Sequence, residues 1–184
     1  MASVVAVERT GQSWVPPVWV AWGAVIVAFA FAAVSLVWAL GSTVGLDTLG
    51  GTIERRARAG DPVLLAANMV ALVLKVLGGV LALALVQPWG RRLPRRLLLA
   101  LGWSGASVLV LYGLLQTTSV ALVAGGAIVP AEPLSDRALT WRLFLWEPWF
   151  LVWGLLLAGA TLRSQRLSSQ RTSRRNSSTR DGES

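Results

Sequence analysis

Four long apolar stretches constrain this chain more than any other feature of its sequence. They cover residues 16–40, 63–87, 97–123 and 142–162. A helix needs about 20 mostly apolar residues, each rising about 1.5 Å, to cross the hydrocarbon core of a bilayer. The chain is 54% hydrophobic and only 14% charged, whereas roughly 25% of a typical soluble domain is charged. The sequence therefore predicts an all-α, polytopic bundle of four transmembrane helices and excludes a soluble enzyme.

The ends of these stretches suit helix termini and membrane interfaces. Trp14 and Trp38 flank the first stretch, as aromatic residues do at the two surfaces of a bilayer. Asp61 is placed to cap the second stretch, and Pro62 suits its first turn. No basic segment of the kind found in a signal peptide precedes the first stretch. We therefore expect the first helix to be retained.

Two arginine-rich segments predict the orientation in the membrane. Residues 88–96 contain four arginines, and residues 163–184 contain six arginines and two acids, which together account for the net charge of +8. Because positive loops stay inside, we expect both segments and residues 1–14 to be cytoplasmic, with the chain in the cell membrane. Arginines beside the spans attract anionic lipids at the cytoplasmic face and argue against nucleic-acid binding.

The segments outside the four spans differ in character. The first outer loop is long enough for a short interfacial helix over residues 52–59, which carry several arginines. Residues 163–184 are rich in Ser and Arg with almost no apolar residue, so the sequence predicts a disordered basic tail. The four-helix domain itself is expected to cover residues 15–162.

Polar residues inside the predicted spans are the candidates for a binding site or an ion pair. These candidates are Lys75, Glu147, Tyr112, Gln116 and Asn68. Counting about 1.5 Å per residue from the cytoplasmic ends places them, and Ser35, at similar depth in the outer half of the membrane. Lys75 and Glu147 are the two opposite charges within the spans, and a buried charge is costly unless it is paired. We therefore expect an ion pair between them, structural or functional.

The start of the fourth helix decides the surroundings of Glu147. A start near Phe144 would place Glu147 and Pro148 in the first turn, where both are tolerated. A start at Ser135 or Asp136 would instead make Pro148 kink the helix about one turn earlier. Both alternatives fit the sequence.

The chain contains no Cys and no His. Thiol redox chemistry is excluded, and the usual ligand of haem, copper and zinc is missing. We therefore expect no metal and no cofactor.

Four segments resemble a known family. They are residues 38–46, 75–79, 111–117 and 145–150, which read WALGSTVGL, KVLGG, LYGLLQT and LWEPWF. Together they are similar to an uncharacterised, domain-of-unknown-function family of small four-helix integral membrane proteins from high-GC Gram-positive bacteria. The resemblance covers about residues 19–162 and leaves out both tails. It implies four spans and no particular activity.

Three classes of function stay open at this point. The chain is an accessory or structural subunit, or it binds or transports a small solute at the polar residues. The alternative is a membrane-embedded enzyme acting on a lipid-like substrate, with Glu147 or Tyr112 as acid and Lys75 as base. The sequence favours a protein without enzymatic activity. Small residues such as Gly102 and Gly113 on the third span suit tight packing in the bundle or a homodimer seam.

The orientation leads to a first prediction. A reporter that is active only in the cytoplasm should be active when fused after Ser184, because the arginines of residues 88–96 and of the tail hold both ends inside. A reporter that is active only outside should be active when inserted near Gly50. The opposite activities at the two positions would overturn this topology.

Overall fold

The computed structural model describes residues 14–130 and 134–181, with side chains described up to residue 170. These residues form six α-helices and no strand. The helices are α1 (Val18–Ala39), α2 (Gly51–Arg58), α3 (Pro62–Val86), α4 (Arg95–Ala124), α5 (Asp136–Trp141) and α6 (Glu147–Asp181). A π-helical turn over Arg142–Trp146 makes α5 and α6 continuous, and short 3-10 turns cover Leu46–Thr48 and Pro88–Arg92.

The predicted fold class is confirmed. Helices α1, α3, α4 and the continuous α5–α6 segment are each long and apolar enough to cross a membrane. The ends of α1, α3 and α4 lie within about two residues of the predicted stretches, whereas the fourth helix begins at Asp136 rather than at residue 142 and continues past residue 162 to Asp181. The short helix expected in the first long loop is α2.

The helices pack unevenly. Helix α6 packs closely on α4 and on α1, and α1 packs on α3, whereas α3 touches α4 and α6 only over short stretches. The core where the four helices meet contains small or branched side chains: Ala24, Val25, Ala82, Ala106 and Leu157. Helix α3 is therefore held mainly by α1, and a gap separates it from α4.

Arginine side chains join several segments at one end of the bundle. Arg163 donates to the Pro16 carbonyl at 2.6 Å, and Arg95 donates to the carbonyls of Ser164 and Gln165 at 3.2 and 3.0 Å. These bonds place the start of α1, the start of α4 and the middle of α6 together. We call this the basic end. The opposite end, which carries residues 40–61, 125–130 and 134–141, is the loop end.

Asp61 caps α3, as its position in the sequence predicts. Its carboxylate accepts hydrogen bonds from the backbone N–H groups of Val63 and Leu64 at 2.8 and 3.1 Å. The hydrogen bond from Arg56, at 2.7 Å, and these backbone bonds hold the pKa of Asp61 below its usual range. The carboxyl group is thus kept in the ionised form that the first turn of a helix favours.

Helix α6 runs past residue 163, from which the sequence predicts a disordered tail. Helix α6 continues through Asp181, and residues 182–184 lie outside the described part of the chain. The segment contains no Pro, and Gly182 is its first Gly, so nothing in the chain interrupts a helix already nucleated by the span. The hydroxyls of Ser168 and Ser169 also bond to carbonyls one turn earlier.

Close contact between α4 and α6 depends on glycine. A Cβ atom on Gly113 would lie 2.5 Å from the backbone nitrogen of Leu151, and backbone cannot move aside cheaply. A Cβ atom on Gly105, two turns earlier, would lie 3.4 Å from a Leu157 methyl group, which is ordinary contact. Small residues allow two helix backbones to approach closely, which is how helices associate in lipid.

These two glycines make a matched test of the packing. Gly113→Ala should destabilise the bundle by about 1–3 kcal/mol, because it overpacks a backbone contact. Gly105→Ala should be neutral or stabilise by up to about 1 kcal/mol, because alanine is the better helix former. Thermal unfolding in detergent measures both variants. Equal effects would show that α4 and α6 are not packed as described.

Candidate functional site

Ser35 connects α1 to α3 in the half of the bundle nearer the loop end. The Asn68 side chain donates to the Ser35 carbonyl at 2.9 Å, and Lys75 Nζ donates to Ser35 Oγ at 2.6 Å. Asn68 and Lys75 are seven residues apart, so both lie on the face of α3 that meets α1. We call these three residues the Ser35 cluster. It brings together two of the predicted candidates.

Lys75 is buried without an acidic neighbour. Its residue is 9% exposed, and its ammonium lies 3.7 Å from the centre of the Phe31 ring. An ammonium over an aromatic face is stabilised by the ring quadrupole. None of the described carboxylates forms an ion pair with Lys75. A hydroxyl and an aromatic ring therefore hold the charge.

The expected ion pair between Lys75 and Glu147 is wrong. The Glu147 carboxylate is 7% exposed and accepts from Arg142 Nε and a terminal guanidinium nitrogen at 3.0 and 2.9 Å. Both hydrogen bonds end on the same carboxylate oxygen, Oε1. The Arg142 guanidinium thus neutralises the buried acid from within the same continuous helix. Two charged residues that the sequence placed at one depth thus belong to separate groups.

The π-helical turn explains why Arg142 reaches Glu147. The helix begins at Asp136 with Ser135 as its cap, which confirms the second of the two starts considered above. Pro148 cannot donate a backbone hydrogen bond and clashes with the carbonyl four residues earlier. The π turn over Arg142–Trp146 accommodates it and brings residues five apart onto one side. The sequence placed Arg142 only at the start of the fourth predicted span. Its position five residues before an acid that is followed by proline was the signal that could have indicated the pair.

Tyr112 and Gln116 form a third group on α4. Gln116 Nε2 lies 3.5 Å from the Tyr112 hydroxyl, and the Tyr112 ring meets Phe150 edge to face at 4.9 Å. Tyr112 is 45% exposed. The five predicted candidates therefore fall into three groups, and they do not form one polar site.

Phe31 is the residue that sequence reasoning missed. Its ring lies 6.0 Å from that of Trp146, 5.7 Å from Trp149 and 4.9 Å from Phe150, besides contacting Lys75. This one side chain links α1 to the start of α6 and to the buried cation. One phenylalanine in a long apolar run carries no distinguishing signal in a single sequence.

A large apolar cleft opens between α3 and α4. Its volume is about 850 Å³, and Trp153 and Leu157 of α6 form its base. It runs from Trp89 and Leu93 at the basic end to Tyr112 and Lys75 near mid-span. Gly78 makes room for its base, because a Cβ atom there would lie 2.6 Å from the Trp153 ring. Among the described residues that line the cleft, Lys75 is the one that carries a charge.

A smaller, polar cavity of about 380 Å³ lies beside the cleft at the basic end. Gln87, Arg91, Arg95, Ser164 and Ser168 supply its polar lining. The two cavities share three wall residues, which are Ala84, Leu93 and Leu98. An apolar cleft thus meets an arginine-lined cavity where the bundle reaches its basic end.

The Ser35 hydroxyl and the Lys75 amine lie as close as a nucleophile and its base do in an active site, but no substrate could reach them. A hydroxyl within hydrogen-bond reach of an amine can act as a nucleophile and its base. Ser35 is 0% exposed and does not line the cleft. In the described residues, no three Asp or Glu side chains gather where they could hold a metal ion. The arrangement is suited to holding helices together.

Comparison with known proteins places the chain in a family. The family described as "Protein of unknown function (DUF3995)" matches residues 28–157. The chain belongs to this family. No curated protein and no solved structure matches the chain. The DUF3995 match begins within α1 and ends within α6, so it contains the Ser35 cluster, Glu147 and all the residues that line the cleft, while Ser164 and the helix beyond it lie outside.

The three separate groups lead to a test by double-mutant cycles. We expect the effects of Lys75→Met and Glu147→Gln on the free energy of unfolding to add within about 0.5 kcal/mol, because the residues share no hydrogen-bond partner. Arg142→Met and Glu147→Gln should not add, because each removes the partner of the other's buried charge. Unfolding in detergent measures both cycles. Coupling above about 1 kcal/mol between Lys75 and Glu147 would restore the pair expected from the sequence.

Proposed function

We propose that this chain is a multi-pass membrane protein that binds a lipid-like, amphipathic molecule in the cleft between α3 and α4. The observation that supports the proposal is the cleft itself, about 850 Å³ of largely apolar space within the four spans. In a bilayer, such a space is filled by hydrocarbon, because water there would lack hydrogen-bond partners.

The size of the cleft favours a single acyl chain. A water molecule occupies roughly 30 Å³ in the liquid, and a methylene group is of similar size. The cleft of about 850 Å³ therefore has room for one long acyl chain. Along α3 the cleft extends from Ala71 to Ala84, a rise of about 20 Å. This length exceeds the thickness of the hydrocarbon in one leaflet, roughly 15 Å, so an acyl chain from one leaflet fits along it.

The other functions considered from the sequence receive less support. A small polar solute needs converging polar groups, yet the lining offers little beyond Lys75, Tyr112 and Ser104. An enzyme needs an accessible acid with a base or nucleophile beside it, whereas Glu147 is paired with Arg142 and Ser35 is buried. Tyr112 lines the cleft, but its hydroxyl has Gln116 as its hydrogen-bond partner. Binding of a lipid-like molecule suits an accessory protein of the membrane and needs no reaction.

We also infer that the basic end faces the cytoplasm of a cell membrane. Arg91, Arg95 and Arg163 all lie at this end, and the positive-inside rule relates such a concentration to the cytoplasmic side. The cleft would then open beside the inner leaflet.

Blocking the cleft tests the proposal. Val108 lines it and is 65% exposed, so Val108→Trp should fill the space without breaking a helix contact. Binding is measured in nanodiscs with a phospholipid that carries a photoreactive diazirine on its acyl chain and that labels the peptides lining the cleft. We expect labelling to fall about tenfold, which corresponds to a steric cost of roughly 1.4 kcal/mol for a bound chain.

Leu111→Trp is the matched control. Leu111 lies on the same helix, is 67% exposed and does not line the cleft. Labelling should match that of the unmodified protein. Equal labelling in both variants, or no labelling of the lining peptides in any variant, would overturn the proposal.

A further inference from the structure

We propose that the molecule in the cleft is a phospholipid with an anionic headgroup, seated in the arginine-lined cavity at the basic end. The inference rests on the proposed function and names its ligand class. One acyl chain would lie in the cleft, and the headgroup would contact Arg91 and Arg95. The second acyl chain would remain in the bilayer.

The positions of the two cavities support this arrangement. They lie side by side, with Ala84, Leu93 and Leu98 as shared walls, and Leu93 is 42% exposed at their junction. The apolar cavity extends from there into the spans, and the polar one is at their end. A phospholipid has the same order of parts, with its headgroup at the interface and its chain in the hydrocarbon.

Charge at the polar cavity supports an anion. Arg91 and Arg95 line it. Within the part of the chain whose side chains are described, no acidic residue lines it and no carboxylate forms an ion pair with either arginine. Arg95 is held in place by its bonds to the Ser164 and Gln165 carbonyls. A guanidinium has five N–H donors and suits the oxygens of a phosphate, so donors remain for a headgroup.

Charge at the basic end argues against a second copy of this chain as the occupant of the cleft. A second copy in the same orientation would bring a second set of arginines beside Arg91 and Arg95, where like charges repel. An anionic lipid would instead neutralise them.

Neighbouring arginines provide the test. Arg91 lines the polar cavity and Arg92 does not, although both lie in the same turn and carry the same charge. The full chain is placed in nanodiscs with photoreactive phosphatidylglycerol or phosphatidylcholine of identical acyl chains. We expect stronger labelling of the cleft by phosphatidylglycerol than by phosphatidylcholine. Arg91→Gln should lower the labelling by phosphatidylglycerol about tenfold, as expected for the loss of a charge-assisted hydrogen bond. Arg92→Gln should leave it unchanged.

The outcomes separate this inference from the proposed function. Equal labelling by both lipids, with Arg91→Gln equal to Arg92→Gln, would overturn the anionic site and leave lipid binding in the cleft intact. An equal loss in the two variants would show general attraction to a basic loop, and would also overturn the site. Absence of labelling in the cleft by either lipid would overturn both proposals.

The direction of the bound lipid is a second measurement that needs no variant. A diazirine at the end of the acyl chain should label peptides near Lys75 and Tyr112, and one near the glycerol should label peptides near Trp89 and Leu93. The reverse pattern would place the headgroup near Lys75 and overturn the inference. If Arg91→Gln does not fold, Arg91→Lys should still lose part of the preference, because lysine lacks the planar fork, with Arg92→Lys as control.

Discussion

Close packing of α6 against both α1 and α4 is the constraint on which the rest of the bundle depends. Lipid chains are as apolar as leucine, so spanning helices gain little from hiding apolar side chains and must associate through close fit and hydrogen bonds. Glycine on α4 lets the backbones of α4 and α6 approach, and Leu157 of α6 lies in the core shared with α1. Helix α3 packs closely on α1 and contacts α4 and α6 only over short stretches. Its separation from α4 creates the cleft.

The sequence predicted the elements better than their contacts. Runs of about 20 apolar residues identify spans because hydrocarbon requires helices, and Asp61 with Pro62 marked the start of α3 correctly. The pairing of Lys75 with Glu147 could not be obtained in this way. Depth along a helix says nothing about rotation around it, and the π turn before Pro148 changed which residue faced the acid. Arg142, five residues away, was a nearer partner than any residue on another helix.

The cleft escaped prediction for a related reason. Small residues on α4 indicated a contact surface, but this surface has two sides. Gly102, Ala106 and Gly113 are buried in the bundle, whereas Gly105 and Leu109 line the cleft. A single helical pattern cannot tell a filled contact from an open one, since both favour small side chains. The answer depends on how far α3 lies from α4, and that follows from the packing of all four helices.

The position of the Ser35 cluster has a mechanical consequence. In the described residues, the hydrogen bonds from α3 side chains to other helices come from Asn68 and Lys75 and meet at Ser35. From Gly78 to the basic end, apolar contacts hold the same helix, for example those of Gly79 with Phe29. Helix α3 is thus fixed at two levels, by the polar contacts at Ser35 and by the buried residues Gly79, Ala82 and Ala84 nearer the basic end.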